Sequence, residues 1–564
     1  MTNKKLVTIL ILTIALLIAF ITRFYMLGKA PAGLYLDEAG QGYSAYSILK
    51  TGKDEFGKSF PIVFRSFTDF KTPVYVYLIV PLIPIFGLTA FTVRFPSFFF
   101  SILTFPVLYL LIKELGEKLE KKEKIQVWLV SLISVTLLSI SPWHILFGRT
   151  NFECNVALFF LLTGCLLFYK SFKKPWILIF AAIFFGIAIP AYHAQRVVTP
   201  LMLMALSIRH RRILMDKAHI KFVIIAAVLG LTISLPTLSV AWTPGFLARA
   251  SGLNIFSTKT HESAGYLSDY HGILSGIVNN HIFLSFQEFG SLYTSYFSPR
   301  NMFLLGDSGP RSSFPELATF FVWQSPFYIY GLYLIVKRKE LGEFRFFTLA
   351  FLFIAPIPAA LTRDPYSTIR SLQMVIPLTI IISLAITETY QKIKKYKIIF
   401  WLCFAVLILY SLLKLYSSVI ILNEFYRAKY WNYGWEEATN VIKSLKPQIG
   451  GIIVDNSRDE PYIQLAFFLK YDPTKFQKEN FEVSPQEYYT NMDRNKDKNI
   501  GKIATHPIDW EHDLNEKRYI VGDELAISLQ QIKEHNLTLI KEIKYPDGTV
   551  ALRIVETNPK LTSH

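Results

Sequence analysis

Apolar runs recur along the chain, separated by short polar stretches in which Lys and Arg gather, and this alternation predicts a bundle of membrane helices. The first run, 6–22 behind Lys4-Lys5, reads as a retained anchor with a cytoplasmic N-terminus, because no small-residue cleavage site follows it. Positions 73–88 are apolar but interrupted by Pro81 and Pro84, which predicts a helix at the membrane interface rather than a full span. Further passes are expected over 91–112, 127–140, 155–169, 176–189, 197–208, 222–240, 314–336, 344–361, 372–386 and 398–422, which with the anchor makes about eleven spans. Basic clusters around Lys118, Lys173, Arg211, Arg338 and Lys395 follow alternate spans and mark the cytoplasmic side. The loops left on the outer side are 28–72, polar and rich in glycine, then those around Arg149, His193 and Arg363, and the long 241–313. A loop of that last length is usually functional.

From 423 onward the pattern changes to that of a soluble domain. Gly450-Gly451-Ile452-Ile453-Val454-Asp455 reads as a buried strand, 461–471 as an amphipathic helix, and 537–543 with 550–555 as a hairpin around Pro546-Asp547-Gly548. The expected fold class is therefore an all-α polytopic membrane protein with a small C-terminal α/β extracytoplasmic domain, divided as 1–422 and 423–564.

Composition agrees with this reading. Of 564 residues, 52% are hydrophobic, 15% aromatic and only 18% charged, with a mean hydropathy of +0.34, more apolar surface than one soluble core needs. The net charge of +17 sits in loop clusters, so it reports topology and implies no nucleic acid partner. Cys154, Cys165 and Cys403 lie inside apolar runs, which implies neither a disulfide nor a metal cluster. A lysine-rich chain without disulfides reads as a multi-pass protein of a prokaryotic plasma membrane.

The candidate chemistry centres on Leu34-Tyr35-Leu36-Asp37-Glu38-Ala39-Gly40-Gln41-Gly42-Tyr43, where two carboxylates follow the anchor. Acidic groups beside a bilayer are costly to desolvate and tend to be kept where they bind or transfer something. The plainer alternative is a helix N-terminus, where carboxylates satisfy free N–H groups. Lys71, at the far end of the same loop, is a compact cation suited to a phosphate. Arg149, Glu153, His193, Gln195, Arg196, Arg311, Arg363, Asp364 and Arg370 also fall in outer loops and, with Tyr43, complete the candidate set. They suggest an acid-and-cation site that receives a charged, lipid-borne substrate. Asp37, Glu38, Glu153, His193 and His261 carry metal-ligand atoms but no fixed spacing, so no metal or other cofactor is assigned, and a divalent ion stays an open alternative.

These motifs carry a resemblance. Asp37-Glu38 after the first span, Lys71-Thr72-Pro73-Val74-Tyr75, Val93-Arg94-Phe95-Pro96-Ser97 and Ser141-Pro142-Trp143 through Arg149 together resemble glycosyltransferase family 39. This is the protein O-mannosyltransferase and aminoarabinose transferase group within the GT-C superfamily. Gly306-Asp307-Ser308-Gly309-Pro310-Arg311 and Pro358-Ala359-Ala360-Leu361-Thr362-Arg363-Asp364 look like its bacterial branch. The resemblance implies a polyprenyl-phosphate sugar donor and an outward-facing site, with Asp37 as the base that deprotonates an acceptor hydroxyl. Glu38 is implied as its companion, and Lys71 with the loop arginines as the cations that hold the donor phosphate. Arg149-Thr150-Asn151-Phe152-Glu153 departs from the family's Arg followed by Pro-Asp, which leaves open an acidic contribution from that loop. A single displacement with inversion is expected, onto a protein, lipid or glycan acceptor. The rival reading is a transporter or flippase of a lipid-linked saccharide, against which the charges lie in loops on one side.

Overall fold

The apolar runs form helices in this computed structural model. It describes residues 3–67, 69–121, 125–240, 242, 243, 255, 280–393, 395–446, 450–480, 484, 486–490 and 496–559. Seven described segments are long and apolar enough to cross a bilayer: Lys5–Phe24, Ala90–Leu119, Glu153–Ser171, Lys217–Ser239, Lys339–Ala360, Leu372–Lys392 and Lys397–Trp431. The other four expected passes are shorter helices, Val127–Ser139, Ile177–Ala191, Gln195–Arg209 and Ser325–Lys337. The chain is thus a multi-pass membrane protein, mostly helical. The expected span from 314 begins its regular helix only at Ser325, with a 3₁₀ turn over Val322–Gln324 before it and Pro326 in its first turn. Pro81 and Pro84 divide 73–86 as expected, into Pro73–Ile79, a 3₁₀ turn Val80–Leu82 and Ile83–Phe86.

The chain divides into two compact units. One comprises Met1–Tyr25, Ser97–Trp242 and Phe246–Ser418, and the other chiefly Met26–Pro96 and Val419–His564. The first loop, expected to go with the membrane domain, belongs instead to the unit that contains the C-terminal domain. In the long loop, His261, Glu262, Asp269 and His271 lie outside the described residues.

Within the second unit, the first loop contains a helix and a short strand pair. Leu36–Thr51 forms a helix of 16 residues with most of its length buried, closed by Gly52 at φ +70 whose N–H donates to Ile48 O. Its burial depends on small residues rather than an apolar stripe, which is why its pattern reads as a loop. A Cβ on Gly42 would come within 2.6 Å of the Phe467 ring and 2.7 Å of Val93. Two short strands follow, β1 (Phe64–Ser66) and β2 (Asp69–Lys71), paired antiparallel with Phe64 opposite Lys71. Thr72 and Pro73 then open the next helix.

The C-terminal part holds a six-stranded mixed sheet. Its strands are β3 (Ile452–Val454), β4 (Lys498–Ile500), β5 (Ile503–Thr505), β6 (Tyr519–Gly522), β7 (Thr538–Lys544) and β8 (Val550–Glu556). The order is β4-β5-β3-β6-β8-β7, with β3 parallel to both β5 and β6 and the remaining pairs antiparallel. The β7–β8 hairpin and the β3 strand fall where the pattern predicts. The helix Pro461–Leu469 is not amphipathic as expected: seven successive residues from Pro461 to Phe467 are buried, because it packs between the sheet strand β4 and the helices Leu36–Thr51 and Trp435–Ser444.

A buried acid ties the first loop to the C-terminal part. Asp54 is fully buried, accepts from the N–H groups of Phe56 (3.1 Å) and Lys58 (2.9 Å), and receives the Tyr488 hydroxyl. Burial outweighs these partners and the nearby Lys58 ammonium, pushing its carboxyl from the ordinary 3.8 up to about 7. Because the folded-state value is raised, the stability it contributes is full below about pH 4 and is lost as pH rises through 7. Thermal unfolding in detergent should therefore show a midpoint that falls between pH 5 and pH 8 in the parent, and a visibly shallower fall in Asp54→Asn.

Candidate active site

Helix Leu36–Thr51 places Asp37 and Glu38 in its first turn, where carboxylates meet free N–H groups and the positive end of the helix dipole. Their surroundings differ completely. Glu38 is buried, and its Oε2 accepts from the Tyr35 N–H at 3.1 Å. Both its oxygens also accept from Arg94, Oε1 from Nε at 2.9 Å and Oε2 from Nη2 at 2.7 Å, a bidentate pair. Arg94 is 0% exposed, and its remaining donors go to backbone carbonyls: Leu27 (3.3 Å), Pro31 (3.0 Å) and Gly33 (2.7 Å). The Trp431 ring lies 5.9 Å from its guanidinium carbon.

Three contacts from the C-terminal part hold the same turn. Asn432 Oδ1 accepts from the Leu36 N–H at 3.1 Å, and Gln464 Nε2 donates to Leu34 O at 2.8 Å. Gly33, at φ +91, passes so close that a Cβ there would come within 2.3 Å of Trp431 O, which only glycine allows. Asn432 and Gln464 carry no motif, and sequence reasoning missed both. Arg94 was quoted as part of a motif without a role. The signal for it was present: an arginine embedded in an apolar run must be paired, and Glu38 is a carboxylate nearby in the chain.

Asp37 stays partly open. Lys71 Nζ meets its Oδ2 at 2.9 Å, with side chains 13% and 21% exposed for Lys71 and Asp37. The lysine is carried on β2, at the position opposite Phe64, immediately before the Thr72-Pro73 helix start. The two residues chosen from opposite ends of the first loop are thereby brought together. Tyr43 is fully buried, with its hydroxyl donating to Tyr471 O at 3.1 Å, and does not reach this pair.

The other expected site residues belong to the first unit. Arg149 is 1% exposed and donates to the carbonyls of Thr22 (2.8 Å) and Tyr25 (2.7 Å) at the end of the first helix. Arg23, on the last turn of that helix, is fully buried with Ser101 Oγ at 2.8 Å and His144 Nδ1 at 2.9 Å. A guanidinium can only donate, so His144 presents an unprotonated Nδ1 to it. Glu153 is buried at the start of its helix, and Gln195 is buried with Oε1 accepting from Thr199 Oγ1 at 2.9 Å. His193 and Arg196 are half-buried around the start of helix Gln195–Arg209, and Arg311 is half-buried in the loop after Asn301–Leu305.

Loop 361–371 carries Arg363, Asp364 and Arg370 as a group. Arg370 pairs with Asp364 and donates to Thr362 Oγ1 at 3.0 Å, while Arg363, at φ +58, meets Glu288 at 3.4 Å. Asp307 holds this loop: its Oδ2 accepts from the Thr368 N–H (2.7 Å) and hydroxyl (2.8 Å), and its Oδ1 from the Gly309 N–H (2.7 Å). Trp143 Nε1 donates to Thr368 O at 2.9 Å, so the Ser141-Pro142-Trp143 and Gly306–Arg311 motifs meet on one loop. The cavity between them, lined by Trp143, Asp307, Ser312 and Thr319, has room for about one water and none for a sugar. No group of three His, Cys, Asp or Glu among the described residues has a metal-binding arrangement.

The comparisons with known proteins follow this geometry. Residues 70–240 match the family model of dolichyl-phosphate-mannose-protein mannosyltransferases. No curated protein matches the chain. The archaeal oligosaccharyltransferase AglB from Archaeoglobus fulgidus, solved with an inhibitory peptide and a dolichol-phosphate, is similar at TM-score 0.50 and 13% identity, over 93% of this chain and 70% of that one. ArnT from Cupriavidus metallidurans, solved with undecaprenyl phosphate, is similar at TM-score 0.49 and 12% identity over 100% of both chains. The family match covers the stretch that carries Lys71, Arg94 and Arg149, and the likeness to AglB is one of fold.

The two carboxylates should separate in a stability assay. Removing one partner of a buried ion pair typically costs about 3–5 kcal/mol, so Arg94→Met or Glu38→Gln should lower the unfolding midpoint markedly. Asp37→Asn, in a pair with side chains 13% and 21% exposed, should lose less than either of these. Equal losses for all three would refute the division.

Proposed function

We propose that this membrane glycosyltransferase moves a sugar from a polyprenyl-phosphate donor to an acceptor hydroxyl on the outer face of the membrane, with Asp37 as general base. The observation that carries the reading is the half-open Asp37–Lys71 pair standing beside the closed Glu38–Arg94 pair. Of the two carboxylates, Asp37 is the one with solvent access and a single short cation contact. Glu38 has both oxygens committed, so its part in the reading is to hold Asp37 in place.

Such a reaction asks little covalent chemistry of the protein. Asp37 takes the proton from the acceptor hydroxyl as its oxygen attacks the anomeric carbon; the bond from that carbon to the phosphate oxygen breaks, and the phosphate leaves with the electron pair. Lys71, 2.9 Å from Asp37, supplies a cation for the phosphate as its charge grows. One displacement inverts the anomeric configuration. AglB, the similar structure noted above, was solved with a dolichol-phosphate and a peptide, ligands of the two kinds this reading requires. Arg149 is reassigned: its donors hold the end of the first helix.

The test uses purified protein in detergent with a polyprenyl-phosphate sugar and an acceptor. Asp37→Asn should lose about 10²–10⁴-fold in transfer while remaining folded, and unchanged transfer would remove Asp37 from the role of base. Lys71→Ala should chiefly raise KM for the lipid donor, with Lys71→Arg recovering part of the loss. Product with retained anomeric configuration would exclude the single displacement.

A further inference from the structure

Helix His281–Ser295, of 15 residues, sits in the long segment between two membrane-crossing segments, Lys217–Ser239 and Lys339–Ala360. At 1.5 Å per residue it is about 22 Å long, shorter than a hydrocarbon core of about 30 Å as are the four shorter helices above, so its place is argued from its faces and not from its length. Most of its residues divide into three faces at about 100° per residue, with Phe283, 49% exposed, on the border of the apolar and polar faces. Leu284, Ser285, Glu288 and Leu292 face the protein, with Ser285 buried and its hydroxyl donating to Ile255 O at 2.9 Å. Ile282, Phe286, Phe289 and Tyr293 form a second face, on which Ile282 and Phe286 are each 59% exposed. Gln287, Ser291 and Thr294 form a third, exposed and polar. A helix docked on a protein and otherwise in water needs only two faces.

The apolar face runs on into a surface that already belongs to the membrane. Phe289 stacks on Tyr293 at 5.5 Å, Tyr293 meets Phe297 at 5.2 Å, and Phe297 meets Phe353 at 5.7 Å. Phe353 is 50% exposed on the membrane-crossing segment Lys339–Ala360, and the Tyr293 hydroxyl donates to its carbonyl at 2.7 Å. A continuous aromatic row thus joins the helix to a lipid-facing position.

We infer that His281–Ser295 lies in the surface of the bilayer, with Ile282, Phe286 and Phe289 inserted among the lipid chains and Gln287, Ser291 and Thr294 in water. The partner is bulk bilayer lipid, bound by apolar burial: the described side chains of the helix offer no lysine or arginine to anionic headgroups, and Glu288 is paired with Arg363. The same helix end meets loop 361–371, since the Ser295 hydroxyl donates to Pro365 O and the Tyr296 hydroxyl to Asp364 O at 2.9 Å. Seating the helix in lipid therefore fixes the depth of Arg363 and Arg370 relative to the headgroups.

The test is independent of any transfer assay. In a Cys403→Ser background, which leaves only the buried Cys154 and Cys165, Phe286→Cys and Thr294→Cys are labelled with a nitroxide. The full-length protein is then placed in nanodiscs of zwitterionic lipid. The label at 286 should be severalfold more accessible to oxygen than to a water-soluble nickel chelate, and the label at 294 the reverse. Ile282→Cys provides a second reporter for the apolar face should Phe286→Cys fail to fold. Equal access of the nickel chelate to labels on both faces would overturn the inference.

Discussion

The unit that contains the candidate site is arranged around one desolvated ion pair, Glu38 with Arg94. Burying two charges is favourable only when geometry is good and every remaining donor is satisfied. Here the arginine meets the carboxylate through two nitrogens and spends its other donors on the carbonyls of Leu27, Pro31 and Gly33. Those three carbonyls lie on the chain that leads into helix Leu36–Thr51. The pair therefore fixes the path of the loop and the start of the helix at once, and the position of Asp37 follows from it. Asn432 and Gln464 complete the hold from the C-terminal part, so the first turn is set by residues 396 and 430 positions away in sequence.

Much of the architecture was legible because bilayer-crossing helices announce themselves by length and hydropathy, and because Pro81 and Pro84 break a helix for steric reasons visible in any context. The β7–β8 hairpin was legible from its alternation and its Pro546-Asp547-Gly548 turn. Helix Leu36–Thr51 was not, since it is buried through Ala39, Gly40, Gly42 and Ala45 rather than through an apolar stripe. Its contacts with Phe467 and Val93 are long-range and leave no periodic mark. The same limit applied to the site. Asp37 and Lys71 could be chosen from chemistry and topology, but which of two adjacent carboxylates faces solvent depends on where Arg94 lands, and spacing alone does not determine that.

Burial sorts the charged residues picked from the outer loops. Arg149 spends donors on carbonyls at the end of the first helix, and Arg23 donates to Leu138 O and Ser139 O at the end of helix Val127–Ser139, both places where backbone carbonyls lack partners and a cation is favoured by the dipole. Asp307 acts on loop 361–371 through two hydrogen bonds from Thr368 and accepts a third from Gly309 N–H in its own loop, and burial raises its carboxyl above the ordinary range. Arg363 and Arg370, in contrast, keep about a quarter of their side chains in solvent and pair with carboxylates that are themselves partly open. Arg149, whose donors go to backbone carbonyls, differs from these two, whose partners are side chains with access to solvent.

The reaction proposed above asks for one acidic pair to be closed and its neighbour partly open. For Lys71 to meet a phosphate it exchanges one anion for another, and between partly solvated groups such an exchange involves modest Coulomb differences. Were the Asp37–Lys71 pair as desolvated as Glu38–Arg94, separating the two would strand a buried carboxylate at a cost of several kcal/mol, and the base would be locked to its cation. Were it fully exposed, nothing would hold the two groups 2.9 Å apart on different elements before substrate arrives. Placing Asp37 one residue before a closed pair meets both demands of the proposed reaction: its backbone is fixed by Glu38, Arg94 and Asn432, while its carboxylate keeps access to solvent beside Lys71.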